Sequence, residues 1–247
     1  MGKHFQILKL NATDSTNSYL KDLLRSENPS DHTVVVAERQ LKGRGQMGTV
    51  WHSEGAKNLT FSVLQRFDAL NVKHQFVLNI AVSLAVIDVL TEVFVPDVKV
   101  KWPNDIMSGS KKICGILIEN VLKGDKVAHS IIGIGLNVNQ TDFENLKKAS
   151  SLKRITGRNF DLDELLHKTL ERIRFYFEGI ETKTVNQLLP AYEKLLFKKD
   201  KPSTFTNADD EMFMGFIRRV SPTGKLIIEL EDQVLKEFDL KEVTLLY

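Results

Sequence analysis

Four short segments hold the residues best suited to bind and move charge. Gly43-Arg44-Gly45-Gln46-Met47-Gly48 sets three glycines around one guanidinium. Such backbone approaches a ligand closely, offers several N–H donors, and places Arg44 where it suits carboxylate or phosphate oxygens. The competing reading of this stretch by itself is a surface loop with incidental glycines. Its spacing matches G-x-G-x-x-G, but the dinucleotide form needs a strand before it and a helix after it, and here a second strand is expected to follow. The P-loop spacing also fails, since Thr49 follows Gly48 where that motif has lysine.

Lys101-Trp102-Pro103-Asn104-Asp105 groups an ammonium, an aromatic, a rigid turn residue, an amide and a carboxylate at the end of a predicted strand. That pattern fits a plain turn or a polar cluster facing a ligand. Lys111 and Lys112 border the apolar run Ile113 to Ile118, from which a lysine can reach a pocket or end in solvent. Gly133 and Gly135, ahead of Asn137, permit close backbone approach or mark a bulge. The six histidines are scattered without metal-site spacing. The single cysteine, Cys114, excludes an intramolecular disulfide and a thiolate zinc site, which fits a reducing cytosol.

These residues must be positioned by elements whose periodicity is legible. Tyr19, Leu20, Leu23 and Leu24 share a helical face, with Asp14 or Ser15 as N-cap. Strand-type runs are expected at 32–40, 58–67, 97–105, 111–122 and 127–140, with a long buried helix from Phe76 to Phe94 between the second and third. Asp161-x-x-Glu164 opens a helix whose apolar positions are Leu162, Leu165, Leu166, Leu170, Ile173 and Phe177. A further helix is expected from Val185 to Phe197, kinked or divided at Pro190. Residues 198–210 read as a polar linker, and four short strands beyond it predict a small β-barrel-like tail. Strands first and helices afterwards predict an α+β fold with a mainly antiparallel sheet.

Composition narrows the function classes. The chain has 247 residues, 42% hydrophobic and 27% charged, which excludes a disordered or fibrous chain. Lys and Arg number 34 against 32 Asp and Glu, a net charge of +2, so no bulk field announces a nucleic-acid track or an anionic membrane surface. The N-terminal MGKHFQILKL lacks the apolar core of a signal peptide, and Gln6 stands where a myristoylation signal has Ser or Thr. Ser83, Asp88 and Glu92 interrupt the most apolar stretch, so no membrane span is expected and the location expected is cytoplasmic.

Taken together and in order, DSTN (14–17), GRGQMGTVW (43–51), KWPND (101–105), KKICGILIE (111–119) and GIGLNVN (133–139) resemble the signatures of the biotin protein ligase family, the biotin–[acetyl-CoA-carboxylase] ligases. The resemblance implies a class-II synthetase-like catalytic domain, residues 1–197, and an SH3-like domain, residues 198–247. It implies an ATP-dependent ligase: biotin and MgATP form biotinyl-5'-AMP and pyrophosphate, and the acyl group then passes to a lysine of a biotin carboxyl carrier protein domain. Carried over by motif, Ser15, Thr16, Asn17, Gln40, Gly43, Arg44, Gly45, Gln46, Lys112 and Gly115 would form the biotin site. Arg44, Trp51, Asn104, Lys112 and Asn137 would hold ATP and the adenylate, Trp51 by stacking. Lys112, Arg44 and Asp105 would be the catalytic residues, Lys112 against the biotin carboxylate or α-phosphate and Asp105 with Mg²⁺ or the incoming lysine. The same Ser15 and Thr16 can also serve as helix caps.

The sequence departs from many members of that family at Gln46 and Met47, where a second arginine follows the GRG, and glutamine cannot replace its charge. An N-terminal helix-turn-helix is not expected, because DSTN begins at residue 14. The other readings are a lipoate–protein ligase, which shares fold class and adenylation chemistry, and a non-catalytic biotin-binding protein on the same fold. Nucleic-acid binding by the tail, prompted by Lys147-Lys148, Lys153-Arg154 and Lys198-Lys199, is not expected, for no row of stacking aromatics accompanies them. No resident metal is expected beyond the Mg²⁺ that accompanies ATP, and a homodimer is among the assemblies the sequence leaves open.

Overall fold

The alternation Ile132-Gly133-Ile134-Gly135-Leu136 gives a strand one apolar face and one nearly bare face. That asymmetry organises the larger of two sheets. The computed structural model describes residues 5–144, 146–182 and 185–247. Among them β1 (Gln6–Thr13), α1 (Thr16–Ser26), β2 (Thr33–Gln40), β3 (Leu59–Arg66) and α2 (Phe76–Glu92) come first. They are followed by β4 (Val98–Lys101), β5 (Asp105–Ser108), β6 (Lys111–Lys123) and β7 (Lys126–Leu136). The helices α3 (Leu152–Thr156), α4 (Leu162–Phe177) and α5 (Val185–Lys194) come next. The chain closes with β8 (Pro202–Asn207), β9 (Met212–Val220), β10 (Leu226–Glu229), β11 (Leu235–Phe238) and β12 (Val243–Leu246).

Strands β1 to β7 form one sheet in the order β1-β2-β3-β7-β6-β5-β4, antiparallel except for the parallel β1–β2 pair. The expected α+β class with a mainly antiparallel sheet is what the chain adopts. One face, carrying Phe61, Val63, Cys114, Ile116, Ile132, Ile134 and Leu136, is buried in the main core with α2 and α4. The opposite face packs Leu64 and Ile131 under Leu20 of α1 and leaves the glycines of β7 uncovered by any large core residue.

Helix α2 is apolar around most of its circumference because the core surrounds it. With the turn that precedes it, the stretch Val72–Glu92 is long and apolar enough to cross a membrane by length and composition alone, and most of it is buried inside the fold. Its two acidic residues are matched within the fold: Asp88 accepts a hydrogen bond from Tyr176 at 2.9 Å, and Glu92 pairs with Lys168 and Arg172. Asp161 caps α4 by accepting from the Glu164 N–H at 2.8 Å, as the Asp-x-x-Glu pattern predicts.

Three local expectations are corrected. Gln6–Thr13 is a strand, not foreseen because its alternating side chains stay half-exposed at the sheet edge. The segment read as a linker, 198–210, contains β8, which pairs with both β9 and β12 and so belongs to the second sheet. The run 97–105 is two strands, because Trp102 to Asn104 turn the chain and Asp105 begins β5 opposite Lys101. The second sheet, β11-β10-β9-β8-β12, is antiparallel throughout and matches the small barrel-like tail expected. It bears on the Trp102 turn, whose indole donates to the Gly224 carbonyl at 2.9 Å.

Candidate active site

The uncovered face of β6 and β7 is the floor of a cavity of about 420 Å³, a volume suited to a small-molecule site. Register makes it flat: Gly115 of β6 lies opposite Gly135 of β7, and Leu117 opposite Gly133. A Cβ on Gly135 would sit 2.5 Å from the Trp51 ring, and one on Gly133 would sit 2.4 Å from Asn17 Oδ1. The glycines are thus seats for Asn17 and Trp51 rather than bulges.

At one end of the floor stands the N-terminus of α1. Ser15, Thr16 and Asn17 are polar yet only 3%, 4% and 2% exposed. Ser15 occupies the N-cap position, but its side chain makes no capping bond, so simple capping does not account for it. The Thr16 N–H donates to Gln40 Oε1 at 2.9 Å, and the Thr16 hydroxyl lies 3.2 Å from the same oxygen. Ser62, on β3 opposite Gly133, lies 2.7 Å from Thr16 Oγ1 and 2.6 Å from Asn17 Oδ1. Asn17 Nδ2 donates to Glu119 Oε2 at 2.8 Å and to the Leu117 carbonyl at 3.3 Å. Both ends of the Asn17 amide are therefore engaged by protein, which fixes its orientation and makes it a buttress of the polar end.

The glycine loop crosses above. Its base is held by hydrogen bonds from Leu41 N to Thr13 O and from Lys42 N to Asp14 O. Gly43 accepts from Trp51 N at 2.9 Å, and Arg44 bridges to Val50, so the loop closes on itself. Arg44 Nη2 reaches Glu119 Oε1 at 3.0 Å, and Lys21 Nζ reaches the same oxygen at 2.6 Å. Burial pushes the Glu119 carboxyl up, but bonds from Lys21 and Asn17 and the charge of Arg44 outweigh it and hold its pKa below the ordinary glutamate value. The depressed value means the Arg44 tether is present at neutral pH and is lost as pH falls through it.

At the other end, Lys112 Nζ contacts Asp105 Oδ1 at 2.6 Å and lies 5.6 Å from the Trp51 ring centre. Lys101 Nζ is 4.0 Å from Asp105 Oδ2. Burial lowers the Lys101 pKa, Asp105 opposes that, and the like charges of Lys112 and Lys148 lower it further. Asn104 donates to the Ile116 carbonyl at 2.7 Å and locks the turn onto β6. Cys114 points into the core on the other face, where burial pushes its thiol far up, so it is no nucleophile.

Of the residues singled out from sequence, Ser15, Thr16, Asn17, Gln40, Arg44, Gly45, Gln46, Trp51, Asn104, Asp105, Lys112 and Gly115 line this one cavity. Gly43 shapes the loop from outside the lining, and Asn137 lies beyond it, buried, with Nδ2 donating to the Ser150 carbonyl at 3.0 Å. Two buried polar atoms here lack a partner among the described residues, Trp51 Nε1 and Asn137 Oδ1. Trp51 Nε1, an unpaired donor on a ring that lines the cavity, fits a heteroaromatic base, whereas Asn137 Oδ1 lies outside the lining. Ser62 and Glu119 escaped the sequence reading; the signal available was strand alternation, since Glu119 follows Gly115 and Leu117 on one face of β6. Among the described residues no cluster of three or more His, Cys, Asp or Glu could hold a metal ion.

A model of the biotin/lipoate A/B protein ligase family matches residues 10–137. The bifunctional ligase/repressor BirA of Salmonella typhimurium is 30% identical over 234 residues, covering 94% of this chain and 72% of that protein. The biotin–[acetyl-CoA-carboxylase] ligase of Mycobacterium tuberculosis is 35% identical over 145 residues, 57% of this chain and 52% of that protein. Among solved structures, the biotin protein ligase of Aquifex aeolicus in complex with biotin and ATP superposes with a TM-score of 0.79 at 30% identity, covering 98% of each chain.

Proposed function

The chain belongs to the biotin/lipoate A/B protein ligase family, and on that premise we propose that its cavity joins biotin to ATP, forming biotinyl-5'-AMP and pyrophosphate, and passes the biotinyl group to a lysine of a biotin carboxyl carrier protein domain. The observation that carries this reading is the arrangement of one cavity with a hydrogen-bonding end at Thr16 and Gln40 and a cationic end at Lys112, joined by a glycine floor. A ureido ring at the first end and a carboxylate at the second match the two ends of biotin.

In the first step a carboxylate oxygen attacks the α-phosphorus of ATP. Two anions must meet, and Lys112 lowers their repulsion and stabilises the charge that builds on the phosphoryl oxygens. Trp51 would receive the adenine, by its ring and by its unmatched Nε1. Mg²⁺ would arrive on the ATP phosphates and supply further charge neutralisation. Asp105, the one carboxylate among the described residues that line the cavity, is the group that would touch it. In the second step the acceptor ammonium loses a proton, for which Asp105 is the base within the cavity, and the free amine attacks the biotinyl carbonyl carbon; the amide bond forms as the acyl carbon–oxygen bond to the phosphate breaks and AMP leaves.

Supplying the protein with biotin, MgATP and a carrier domain is expected to add one biotinyl group to one lysine, read by mass spectrometry. Asp105→Asn is expected to slow this transfer by about 10²-fold or more, and unchanged rates of both half-reactions would remove Asp105 from the chemistry. The adenylate must also be shielded from water until the acceptor arrives, a role for the loop over the floor. Biotin with ATP is therefore expected to slow proteolysis within residues 43–55. Glu119→Gln, which weakens the Arg44 tether, is expected to speed that cleavage in the absence of ligands. Cleavage indifferent to both would show that the loop is not a cover.

A further inference from the structure

Two cations meet on one carboxylate beside the cavity. Glu119 follows Gly115 and Leu117 on the uncovered face of β6, and its side chain is 19% exposed. Asn17 and Lys21 lie one turn apart on α1, and both reach it: Asn17 Nδ2 donates to Oε2 at 2.8 Å, and Lys21 Nζ donates to Oε1 at 2.6 Å. Arg44 comes from the glycine loop and shares both oxygens, with Nη2 3.0 Å from Oε1 and Nη1 3.5 Å from Oε2. Among the described residues no third cation pairs with Glu119. Arg44 lines the cavity, and Lys21 stands outside its lining. The guanidinium that a bound anion would attract is thus already engaged, and the ligand must compete with Glu119 for it.

Resting on the ligase reading, we infer that Lys21 is a positioning residue of this site: it holds Glu119 when the phosphate of the bound adenylate draws Arg44 away, which frees the loop to close on the ligand. Removing one partner of a half-buried ion pair leaves the other charge uncompensated, and that cost is largest when no second partner is present. With Lys21 in place, Glu119 keeps an ammonium at hydrogen-bond distance after Arg44 departs. Without it, Arg44 is the one cation left, its release strands the carboxylate, and the ligand meets a tighter tether. Lys21 also repels Arg44 across the shared Oε1, which loosens the tether further. Asn17 stays on Oε2 through the exchange, so the polar end of the cavity keeps its shape while the loop moves. The effect belongs to ligands that bring an anion to the loop, since an uncharged analogue exerts no pull on Arg44.

The test compares two ligands by calorimetric titration into the full chain: biotinol-5'-AMP, which keeps the phosphate and has a methylene in place of the acyl carbonyl, and uncharged biotinamide. In Lys21→Met, affinity for biotinol-5'-AMP is expected to fall about tenfold, the worth of one charge-assisted contact, with biotinamide affinity unchanged. Lys21→Arg is expected to restore it. In a Glu119→Gln background, where no charge is stranded, Lys21→Met is expected to have no further effect. Cleavage of ligand-free protein within residues 43–55 is expected to slow in Lys21→Met, because its loop is more tightly tethered. Unchanged biotinol-5'-AMP affinity in Lys21→Met, an equal loss for biotinamide, or the same loss in the Glu119→Gln background would overturn the inference and leave Lys21 a brace between helix and sheet. Wild-type protein that binds neither ligand would contradict the ligase reading. Slower ligand-free cleavage in Lys21→Met would then still support the handover of Glu119, and unchanged cleavage would overturn it as well.

Discussion

Lys112→Met is expected to lower the rate of biotin adenylation by about 10²–10³-fold, the cost of removing one preorganised charge from a developing oxyanion. Methionine keeps the length and the apolar stem over the Trp51 ring while deleting the ammonium that contacts Asp105 at 2.6 Å. The substitution leaves Asp105 facing Lys101 at 4.0 Å, so the carboxylate keeps one cationic neighbour and the turn keeps its Asn104 bond to β6. The loss should therefore fall on kcat, with biotin affinity changing less, because the deleted charge acts most strongly on the transition state. A loss confined to biotin affinity would recast Lys112 as a binding residue.

Gly133→Val is expected to weaken biotin binding by about 10²-fold while leaving a folded protein. The new Cβ would meet Asn17 Oδ1 at 2.4 Å, and Asn17 has nowhere to retreat because its amide is held by Ser62, Glu119 and the Leu117 carbonyl. The displaced Asn17 disturbs the polar end of the cavity, and the loss of about two hydrogen bonds to biotin there is worth about 2–3 kcal/mol, about a hundredfold in affinity. The polar end of the cavity, not the core, takes the strain, since the neighbouring Ile132 and Ile134 face the opposite side. Thermal unfolding and biotin titration measured together separate the two effects. A variant that binds biotin normally would show that Asn17 and the floor beneath it do not shape the site.

Much of this site was legible in residue types. The glycine loop, the lysine at the head of an apolar strand and the polar helix start each announced close approach or charge, and the structure gathers most of them into one cavity. What sequence could not give was pairing across the sheet. Glu119 lies far along the chain from Arg44 and Lys21, and only the β6–β7 register together with the loop's path brings the three together. Lys148 stands in the sequence only as half of a basic pair, because nothing local reveals that its backbone pairs with Lys112. Asn137 carried a motif but sits buried past the lining, since the strand ends at Leu136 and the chain turns toward Ser150. At the fold level, periodicity found the buried strands and helices. It missed Gln6–Thr13 and Pro202–Asn207, whose exposed or small side chains give weak alternation and whose pairing is long-range.

Pyrophosphate–ATP exchange tests the central claim most directly, because it isolates the adenylation step and needs no acceptor protein. With MgATP and labelled pyrophosphate, exchange is expected to require biotin and to be absent without an acid or with lipoate in its place. Exchange supported by lipoate alone, or by neither acid in folded protein, would contradict the assignment of this cavity to biotin activation.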